Sequence, residues 1–460
     1  MSTTLRTTTP NQVLAIVCVG IVLANLDMFI VNVGLPSIGA DFPAASLEDL
    51  SWILNGYTIG FAAMLVFFGR LTERHRRDRS FIAGIGLFTV ASAACAASTG
   101  VEMLVAFRIV QAAGAALMTP TSIGLLLATF PAEQRGTAVR TWTAIGGFAA
   151  AFGPLAGGVL IALSWRWIFI VNVPIGLAAM VVAWRMLPAV PGHDAARPNP
   201  LAALLVTGGI AALVFAIVKG GDWGWVSPQI GIALGVALLC LGLFIRHCLR
   251  SDNPFVDPAL FRIPTFTGAS MMMGPYGVAF GAMLFSIAFW EQTAWGWTAL
   301  QAGLSIAPGP LLVPTTSLLV AGRLLRRFGP IPVLLVGIGL FASGLMIWAL
   351  FVGAEPNALA AVVGMIPIGV GVGLTWPTTM GLGTSSLPAS QFATGSGVIN
   401  MARQAALAIG VAAFIALIAL PAASPAAAFH RAWWIMAGVI GLAAVPALVF
   451  LRPAASRPAG

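Results

Sequence analysis

The sequence predicts an all-α polytopic membrane protein, and composition and run length lead to that fold class. Of the 460 residues, 59% are hydrophobic and only 8% are charged, whereas about 25% of the residues of a soluble protein are charged. The mean hydropathy of +0.96 excludes a soluble multidomain protein. Apolar runs of about 17–25 residues, the length that crosses a bilayer as a helix, recur along the whole chain.

Fourteen such runs follow one another, and we predict that each forms a spanning helix. They cover residues 13–34, 50–69, 80–97, 103–124, 141–162, 167–184, 201–218, 229–245, 267–290, 300–321, 331–352, 358–379, 394–419 and 433–451. The polar N-terminal residues carry no cleavable signal pattern, because the first run is of span length and no small-residue cleavage site follows it.

The positive charges predict the orientation of these spans. With both termini in the cytoplasm, 18 of the 23 basic residues lie on the inner side, three lie outside and two lie within spans. This asymmetry is the positive-inside pattern, and it favours an even number of spans. The basic surplus therefore indicates topology and no nucleic-acid partner. The alanine- and proline-rich, nearly lysine-free composition is typical of a high-GC bacterium, so we expect an inner (plasma) membrane location.

A faint internal repeat predicts the domain organisation. FGRLTERHRRD (68–78) follows the second span and AGRLLRRFG (321–329) follows the tenth. Parallel repeats are common in transporters, and two six-span halves would place the copies six spans apart, so we predict two inserted spans. The predicted parts are a cytoplasmic N-terminus (1–12), an N-terminal six-helix bundle (13–184), a cytoplasmic linker (185–200), two inserted spans (201–245), a second cytoplasmic linker (246–266), a C-terminal six-helix bundle (267–451) and a cytoplasmic tail (452–460).

Six motifs resemble those of one transporter family. They are LDMFIVNVGLPSI (26–38), WILNGYTIGFAAMLVFFGRLTER (52–74), RIVQAAGAA (108–116), GPLAGGVL (153–160), WRWIFIVNVPIG (165–176) and GVINMARQAALAIG (397–410). Together they resemble the major facilitator superfamily, and within it the fourteen-span drug–proton antiporters. The resemblance implies the major facilitator fold, with two six-helix bundles plus two extra central helices. It also implies a first span that lines the central cavity.

Two charged residues within spans are the candidates for proton coupling. A charge at the bilayer centre costs about 2.5–3.5 kcal/mol on insertion scales, so such residues are functional candidates. We interpret Asp27 as the proton carrier, with a counter-ion for a cationic substrate as the alternative. We expect Arg108 to lie near this otherwise isolated carboxylate and to tune its proton affinity; the alternative is that Arg108 pairs only with backbone carbonyls.

Other polar and aromatic residues are weaker candidates. We interpret Glu291, at the outer end of the ninth span, as a solvated rim residue, with a second protonatable site as the alternative. Asn400, Arg403 and Gln404 form a polar island, which predicts either interhelical hydrogen bonding or part of the drug path. Flat rings and flexible methionines suit promiscuous sites. The substrate-cavity candidates are Asn32, Trp52, Tyr57, Gln111, Asn400, Arg403 and Gln404.

Two further motifs predict contacts that control the conformational change. In the loop GRLTERHRRDR, we predict a cytoplasmic charge latch formed by Gly69, Glu73, Arg74 and Arg77; the alternative is an orientation signal that contacts lipid headgroups. In the antiporter motif, Gly153, Pro154, Gly157 and Gly158 predict a bent, closely packed seam that blocks proton leakage. Simple tight helix packing is the alternative for this motif.

The sequence contains no signature of an enzyme or a cofactor site. The four cysteines and four histidines show no metal-binding spacing. No phosphate-binding loop of the G-x-x-x-x-G-K-[ST] type is present, so transport driven by ATP is not expected. The expected partners are small molecules, protons and the lipid bilayer, and we expect a monomer.

The predicted function is proton-coupled efflux of amphipathic, often cationic, toxic compounds by alternating access, as the resemblance implies. The alternative is a dedicated exporter of one metabolite or self-made antibiotic. A more remote alternative, from a different class, is a membrane sensor that transports nothing.

Overall fold

The computed structural model describes residues 8–192, 199–252, 254–387 and 392–451, with no strand among them. In these ranges fourteen helices are long and apolar enough to cross a membrane. The predicted fold class of fourteen spans is therefore confirmed.

We number these helices α1 to α14 in chain order. Their bounds are α1 Pro10–Asp41, α2 Leu47–Glu73, α3 Arg77–Ala96, α4 Val101–Thr129, α5 Ala132–Ile161, α6 Trp167–Met186, α7 Pro200–Trp223, α8 Pro228–Arg250, α9 Pro264–Thr293, α10 Ala299–Phe328, α11 Pro330–Phe351, α12 Ala358–Ser385, α13 Phe392–Ala419 and α14 Pro425–Phe450. Helix α10 is interrupted at Ala307 and contains a π-helical stretch, Ser317–Ala321.

Side-chain caps explain where several helices begin. Thr9 accepts a hydrogen bond from the backbone nitrogen of Gln12, and the Gln12 side chain bonds back to Thr9, which is a capping box. Helix α14 begins eight residues before its predicted start at 433, because Ser424 caps it and Pro425 occupies its first turn. Proline fits there, since the first helical residue needs no amide donor.

The helices divide into two compact units by their contacts. The first unit contains residues up to Phe255 together with Ala288–Ala307. Within it α4 packs against α2 and α3, and α1 packs against α5. Helix α7 packs against α8 and α2, whereas α8 is peripheral, since most of its residues are exposed.

The second unit contains Val256–Ile287 and the chain from Pro308 onward. Within it α11 packs against α12 and α14, and the middle of α10 packs against α12. The sequence predicted a C-terminal bundle that begins at 267 and includes residues 288–307. In the structure Ala288–Ala307 belongs to the first unit by its contacts, because the start of α10 packs against α5. The domain boundaries given by the sequence stay a prediction.

Candidate functional site

A buried ion pair joins α1 to α4 in the first unit. Arg108 donates from Nη1 to Oδ2 of Asp27, and the two side chains are 1% and 0% exposed. Arg108 also donates from Nε to the carbonyl of Ile53, 3.2 Å away. Arg108 therefore lies beside Asp27 as expected, and the alternative that it pairs only with backbone carbonyls was wrong, although it does bond one such carbonyl.

Three polar side chains surround this pair. Gln111 donates from Nε2 to Oδ1 of Asp27 at 2.8 Å, and Asn172 donates from Nδ2 to the same oxygen at 3.1 Å. The hydroxyl oxygen of Ser92 accepts from both amides, at 2.7 Å and 3.4 Å. The expectation of an otherwise isolated carboxylate was wrong, because α3, α4 and α6 each bring a polar side chain to α1. We call Asp27, Arg108, Gln111, Asn172 and Ser92 the Asp27 network.

Aromatic rings close one side of the network. The guanidinium carbon of Arg108 lies 4.1 Å from the ring centre of Tyr57 and 5.8 Å from that of Phe169. Tyr57 is 1% exposed, and its hydroxyl has no hydrogen-bond partner among the described residues. These rings offer the cation a favourable quadrupole, and Asp27 is the only carboxylate that pairs with Arg108 among the described residues.

Two members of the network, Asn172 and Ser92, were not predicted from the sequence. Asn172 lies in the motif WRWIFIVNVPIG, where a side-chain amide inside an apolar run could have indicated a buried polar contact. Ser92 gave no signal, because small polar residues are common where membrane helices pack closely.

Glu291 occupies a second buried acidic position in the first unit. It is 0% exposed, so the interpretation as a solvated rim residue was wrong. Its Oε1 accepts from the hydroxyl of Ser305 at 2.5 Å, while Oε2 is buried without a partner among the described residues. Helix α9 continues to Thr293, beyond its predicted end at 290, and the start of α10 supplies Ser305.

The polar island of α13 lies in the second unit. Asn400 donates to the carbonyl of Ser396 in its own helix at 3.1 Å. The guanidinium carbon of Arg403 lies 4.4 Å from the ring centre of Trp376, and Gln404 is 2% exposed. Within the described part of the chain, none of the three island residues forms the hydrogen bond to another helix that one interpretation predicted.

Two of the cavity candidates in the first unit make their contacts away from the Asp27 network. Asn32 donates from its side chain to the carbonyl of Met28 at 2.9 Å, in its own helix. Trp52 packs against Phe215 of α7, with ring centres 6.2 Å apart. The structure therefore brings Tyr57 and Gln111 to the network but not Asn32 or Trp52.

The start of α3, directly after the loop that follows α2, is held to α4 and to the chain that follows α6. Arg77 donates from Nη1 to the carbonyl of Gly124 at 3.1 Å. Asp78 accepts from Nη2 of Arg76 at 2.7 Å and from the backbone nitrogen of Val190 at 3.2 Å. The acid that makes these contacts was not among the predicted latch residues.

The other predicted latch residues lie beside these contacts. Gly69 faces Pro120 of α4, since a Cβ on Gly69 would lie 3.8 Å from that ring. The backbone of Arg74 lies against Gly192, where a Cβ would come within 2.3 Å of it. The side chain of Glu73 lies outside the described residues, so its predicted pairing with an arginine stays a prediction.

The glycines of α5 approach two neighbouring helices. A Cβ on Gly153 would lie 2.6 Å from Cβ of Phe29 in α1, and one on Gly157 would lie 3.1 Å from the Ile30 side chain. A Cβ on Gly158 would lie only 2.4 Å from the Cα of Leu300, at the start of α10.

The α10 side of this contact also depends on a glycine. A Cβ on Gly303 would lie 2.3 Å from the carbonyl oxygen of Pro154. The motif thus packs on two sides, and the sequence did not predict the second partner.

A comparison with known sequences decides the family. Residues 17–411 match the sequence profile of the Major Facilitator Superfamily, which is well over half of the chain. The protein belongs to the Major Facilitator Superfamily. It is therefore a multi-pass membrane protein with small-molecule substrates, and its chemistry is transport rather than catalysis.

Two relatives within the superfamily are resistance proteins. The methylenomycin A resistance protein of Bacillus subtilis (strain 168) is 31% identical over 446 residues, which cover 96% of this chain and 94% of that protein. The tetracenomycin C resistance and export protein of Streptomyces glaucescens is 30% identical over 415 residues, which cover 89% and 76%. The predicted resemblance to drug exporters of this superfamily is confirmed.

A solved transporter structure is similar to this chain in fold, and it supports the fold alone. The crystal structure of the POT family transporter PepTSo aligns with a TM-score of 0.67 over 96% of this chain and 98% of that chain, at 14% identity. At this identity the comparison carries no information about the substrate.

Proposed function

We propose that this protein exports amphipathic toxic compounds across the plasma membrane of a bacterium in exchange for protons, with both termini in the cytoplasm. The observation that carries the proposal is the fully buried Asp27–Arg108 pair in the first unit of a Major Facilitator Superfamily chain. The name of the tetracenomycin C resistance and export protein supports export as the direction. We expect a monomer that needs no cofactor and binds no nucleic acid.

Proton exchange takes place at Asp27 in this proposal. A proton that binds Oδ2 displaces the hydrogen bond from Arg108 and removes the only carboxylate of the network. The guanidinium then remains buried without a counter-ion, a state that costs several kcal/mol. A rearrangement that hydrates Arg108 or gives it another partner becomes favourable, and release of the proton restores the pair.

The amides of the network position the carboxylate for this exchange. Gln111 and Asn172 both donate to Oδ1, and both are tied to Ser92. They therefore hold Oδ1 in place while Oδ2 exchanges its partner. Gln111 also accepts from Arg108 at 2.6 Å, so its side-chain carbonyl gives the guanidinium a partner when Asp27 is neutral.

The alternative role of Asp27 is that of counter-ion for a cationic substrate. In that case the substrate cation would displace Arg108 from Asp27, and proton exchange would take place elsewhere. An uncharged substrate discriminates the two roles, because it has no charge to pair with Asp27.

We propose Glu291 as a second protonatable site. A buried neutral carboxylic acid costs far less free energy than a buried carboxylate without a cation. No cation is paired with Glu291 in the described part of the chain, and its one hydrogen bond comes from Ser305. We therefore infer that Glu291 holds a proton in this state and releases it when the contact between α9 and α10 opens.

The glycine seam and the loop after α2 are proposed to control the change of state. The seam formed by Gly157, Gly158 and Gly303 closes α5 against α1 and α10 without room for water between the backbones. The hydrogen bonds from Arg77 and to Asp78 hold the cytoplasmic start of α3 to α4 and to the chain that follows α6.

A dedicated exporter of one metabolite or self-made antibiotic is the second candidate function. It is favoured by the names of the two relatives, which refer to methylenomycin A and tetracenomycin C. A panel of chemically unrelated compounds, tested in cells that lack their own pumps, separates the two candidates: resistance to one compound indicates the dedicated exporter.

Efflux from reconstituted vesicles tests the proposed function. We expect an imposed pH gradient to drive dye transport and an uncoupler to abolish it. Transport that is insensitive to uncouplers would contradict proton antiport. Failure to move any compound, in vesicles that retain folded protein, would favour a sensor.

A further inference from the structure

The second unit contains a column of aromatic rings that ends at a cation. The rings of Tyr276 and Phe280 are nearly parallel, with centres 5.8 Å apart and planes 11° apart. Trp376 continues the stack, 6.3 Å from Tyr276 at 17°. Arg403 then lies with its guanidinium carbon 4.4 Å from the Trp376 ring centre. We call these four residues the aromatic column.

Only one end of the column is accessible. Tyr276 and Phe280 are 1% and 8% exposed, and Phe341, which packs edge-on against both, is fully buried. Trp376 and Arg403 are partly exposed. The buried rings thus fix the orientation of Trp376, and the accessible end of the column consists of part of the indole and the guanidinium that lies over it.

Arg403 has no anionic partner among the described residues of its own unit. The acidic residues of that unit are Asp257, which caps a short 3₁₀ helix before α9, and Glu355, which lies in the exposed loop after α11. The Nε of Arg403 is buried and makes no hydrogen bond among the described residues. Contact with Trp376 favours the cation, but it uses none of the five N–H donors of a guanidinium.

An intramembrane arginine without a partner is costly, so such residues mark substrate or ion pathways. Because the guanidinium of Arg403 lies over the indole of Trp376, a planar ring of the substrate packs offset or edge-on against the part of the indole that stays exposed. A carboxylate on that ring accepts charge-assisted hydrogen bonds from Arg403. Asn400 lies one turn earlier on the same face of α13 and provides a further amide.

From this geometry we propose that the aromatic column binds the planar, carboxylate-bearing part of the exported compound. The inference rests on the proposed export function and deepens it, since it assigns the substrate class as aromatic anions rather than the cations expected from the sequence. The site is formed by α9, α12 and α13 of the second unit and is separate from the Asp27 network of the first unit.

Binding of three anthracene probes to the purified full-length protein in detergent tests the proposal without any proton gradient. The probes are anthracene-9-carboxylate, 9-(aminomethyl)anthracene and 9-(hydroxymethyl)anthracene, which share one ring system and differ in charge. Fluorescence anisotropy gives the affinity of each. We expect the carboxylate to bind wild-type protein at least tenfold more tightly than the amine.

Variants of Arg403 assign this preference to the column. Arg403→Gln should weaken binding of the carboxylate by about 10- to 100-fold, the range for a lost hydrogen bond to a charged group, and should leave the alcohol within about twofold. Arg403→Lys should recover part of the loss. Arg326→Gln removes one exposed positive charge of the same unit and should change neither affinity.

Three outcomes would overturn the proposal: no binding of the carboxylate by wild type, tighter binding of the amine, or unchanged carboxylate affinity in a folded Arg403→Gln protein. Failure of the export function is distinguishable from these results. If the protein shows gradient-driven efflux but its anion binding does not depend on Arg403, the export function is kept and the proposed site is rejected. If anion binding depends on Arg403 but the protein transports nothing, the site is kept and the export function is rejected.

Discussion

Arg108 of α4 reaches across to Asp27 of α1, and both side chains are almost completely shielded from solvent. No other ion pair among the described residues has both partners so deeply buried. The pair therefore carries the electrostatic consequences of any change in the protonation of Asp27.

Replacing Arg108 should affect stability and coupling together. Arg108→Gln leaves the carboxylate of Asp27 buried without a cation, so we expect a loss of about 3–5 kcal/mol in stability and at least a tenfold loss of gradient-driven efflux. Thermal unfolding in detergent and vesicle transport measure the two effects.

The double variant Asp27→Asn/Arg108→Gln provides the matched control for this prediction. It removes both charges and should be more stable than Arg108→Gln alone, while remaining unable to couple transport to protons. If Arg108→Gln is as stable as wild type, the pair is not the electrostatic centre that the structure indicates.

Leucine substitutions in α5 should reduce efflux and stability more where the new side chain contacts rigid backbone than where it contacts a flexible side chain. Gly158→Leu meets the backbone of Leu300, whereas Gly157→Leu first meets the adaptable side chain of Ile30. Overpacking costs about 1–3 kcal/mol, so we expect Gly158→Leu to lose more efflux and stability than Gly157→Leu. Gly235→Leu on α8 has open space around its Cβ and serves as control. Equal effects at all three positions would contradict a tight seam.

Glu291→Gln should separate the structural from the protonation role of Glu291. Glutamine keeps the volume, and its carbonyl can accept the hydrogen bond from Ser305, so expression and thermal stability should stay close to wild type. If Glu291 exchanges a proton, the number of protons moved per substrate should fall while substrate binding persists. An unchanged proton count measured in vesicles would remove Glu291 from the transport cycle.

Cysteine accessibility tests the orientation. In a background without the four native cysteines, cysteines at Arg76 and Arg326 should react with an impermeant maleimide only from the cytoplasm. Both residues are exposed, as is Glu355, whose replacement should react only from outside. Labelling of position 355 from the cytoplasm would contradict the orientation derived from the basic residues.

The fold was predictable because hydrophobic run length and the distribution of arginine are properties of the chain itself. Fourteen spans follow from them directly. Helix ends were less predictable, since they depend on caps such as Ser424, which begins α14 well before its apolar run.

The site was predictable only where a residue was costly in its surroundings. Asp27 and Arg108 were conspicuous because charges are rare in spans. Ser92 was not, because nothing about a serine in a span indicates which neighbour it faces. The burial of Glu291 depends on the start of α10 folding over it, a contact between two helices that no local pattern encodes.

The central claim is that Asp27 carries the exchanged proton, and the variant Asp27→Asn tests it most directly. Two quantities should be measured with one uncharged fluorescent substrate: proton release from purified protein on substrate addition, and gradient-driven uptake into inverted vesicles. The account predicts that Asp27→Asn still binds the substrate but neither releases protons nor responds to the gradient, while Asp27→Glu retains part of both. Proton exchange for the uncharged substrate by a folded Asp27→Asn protein would contradict the account and make Glu291 the next carrier to test.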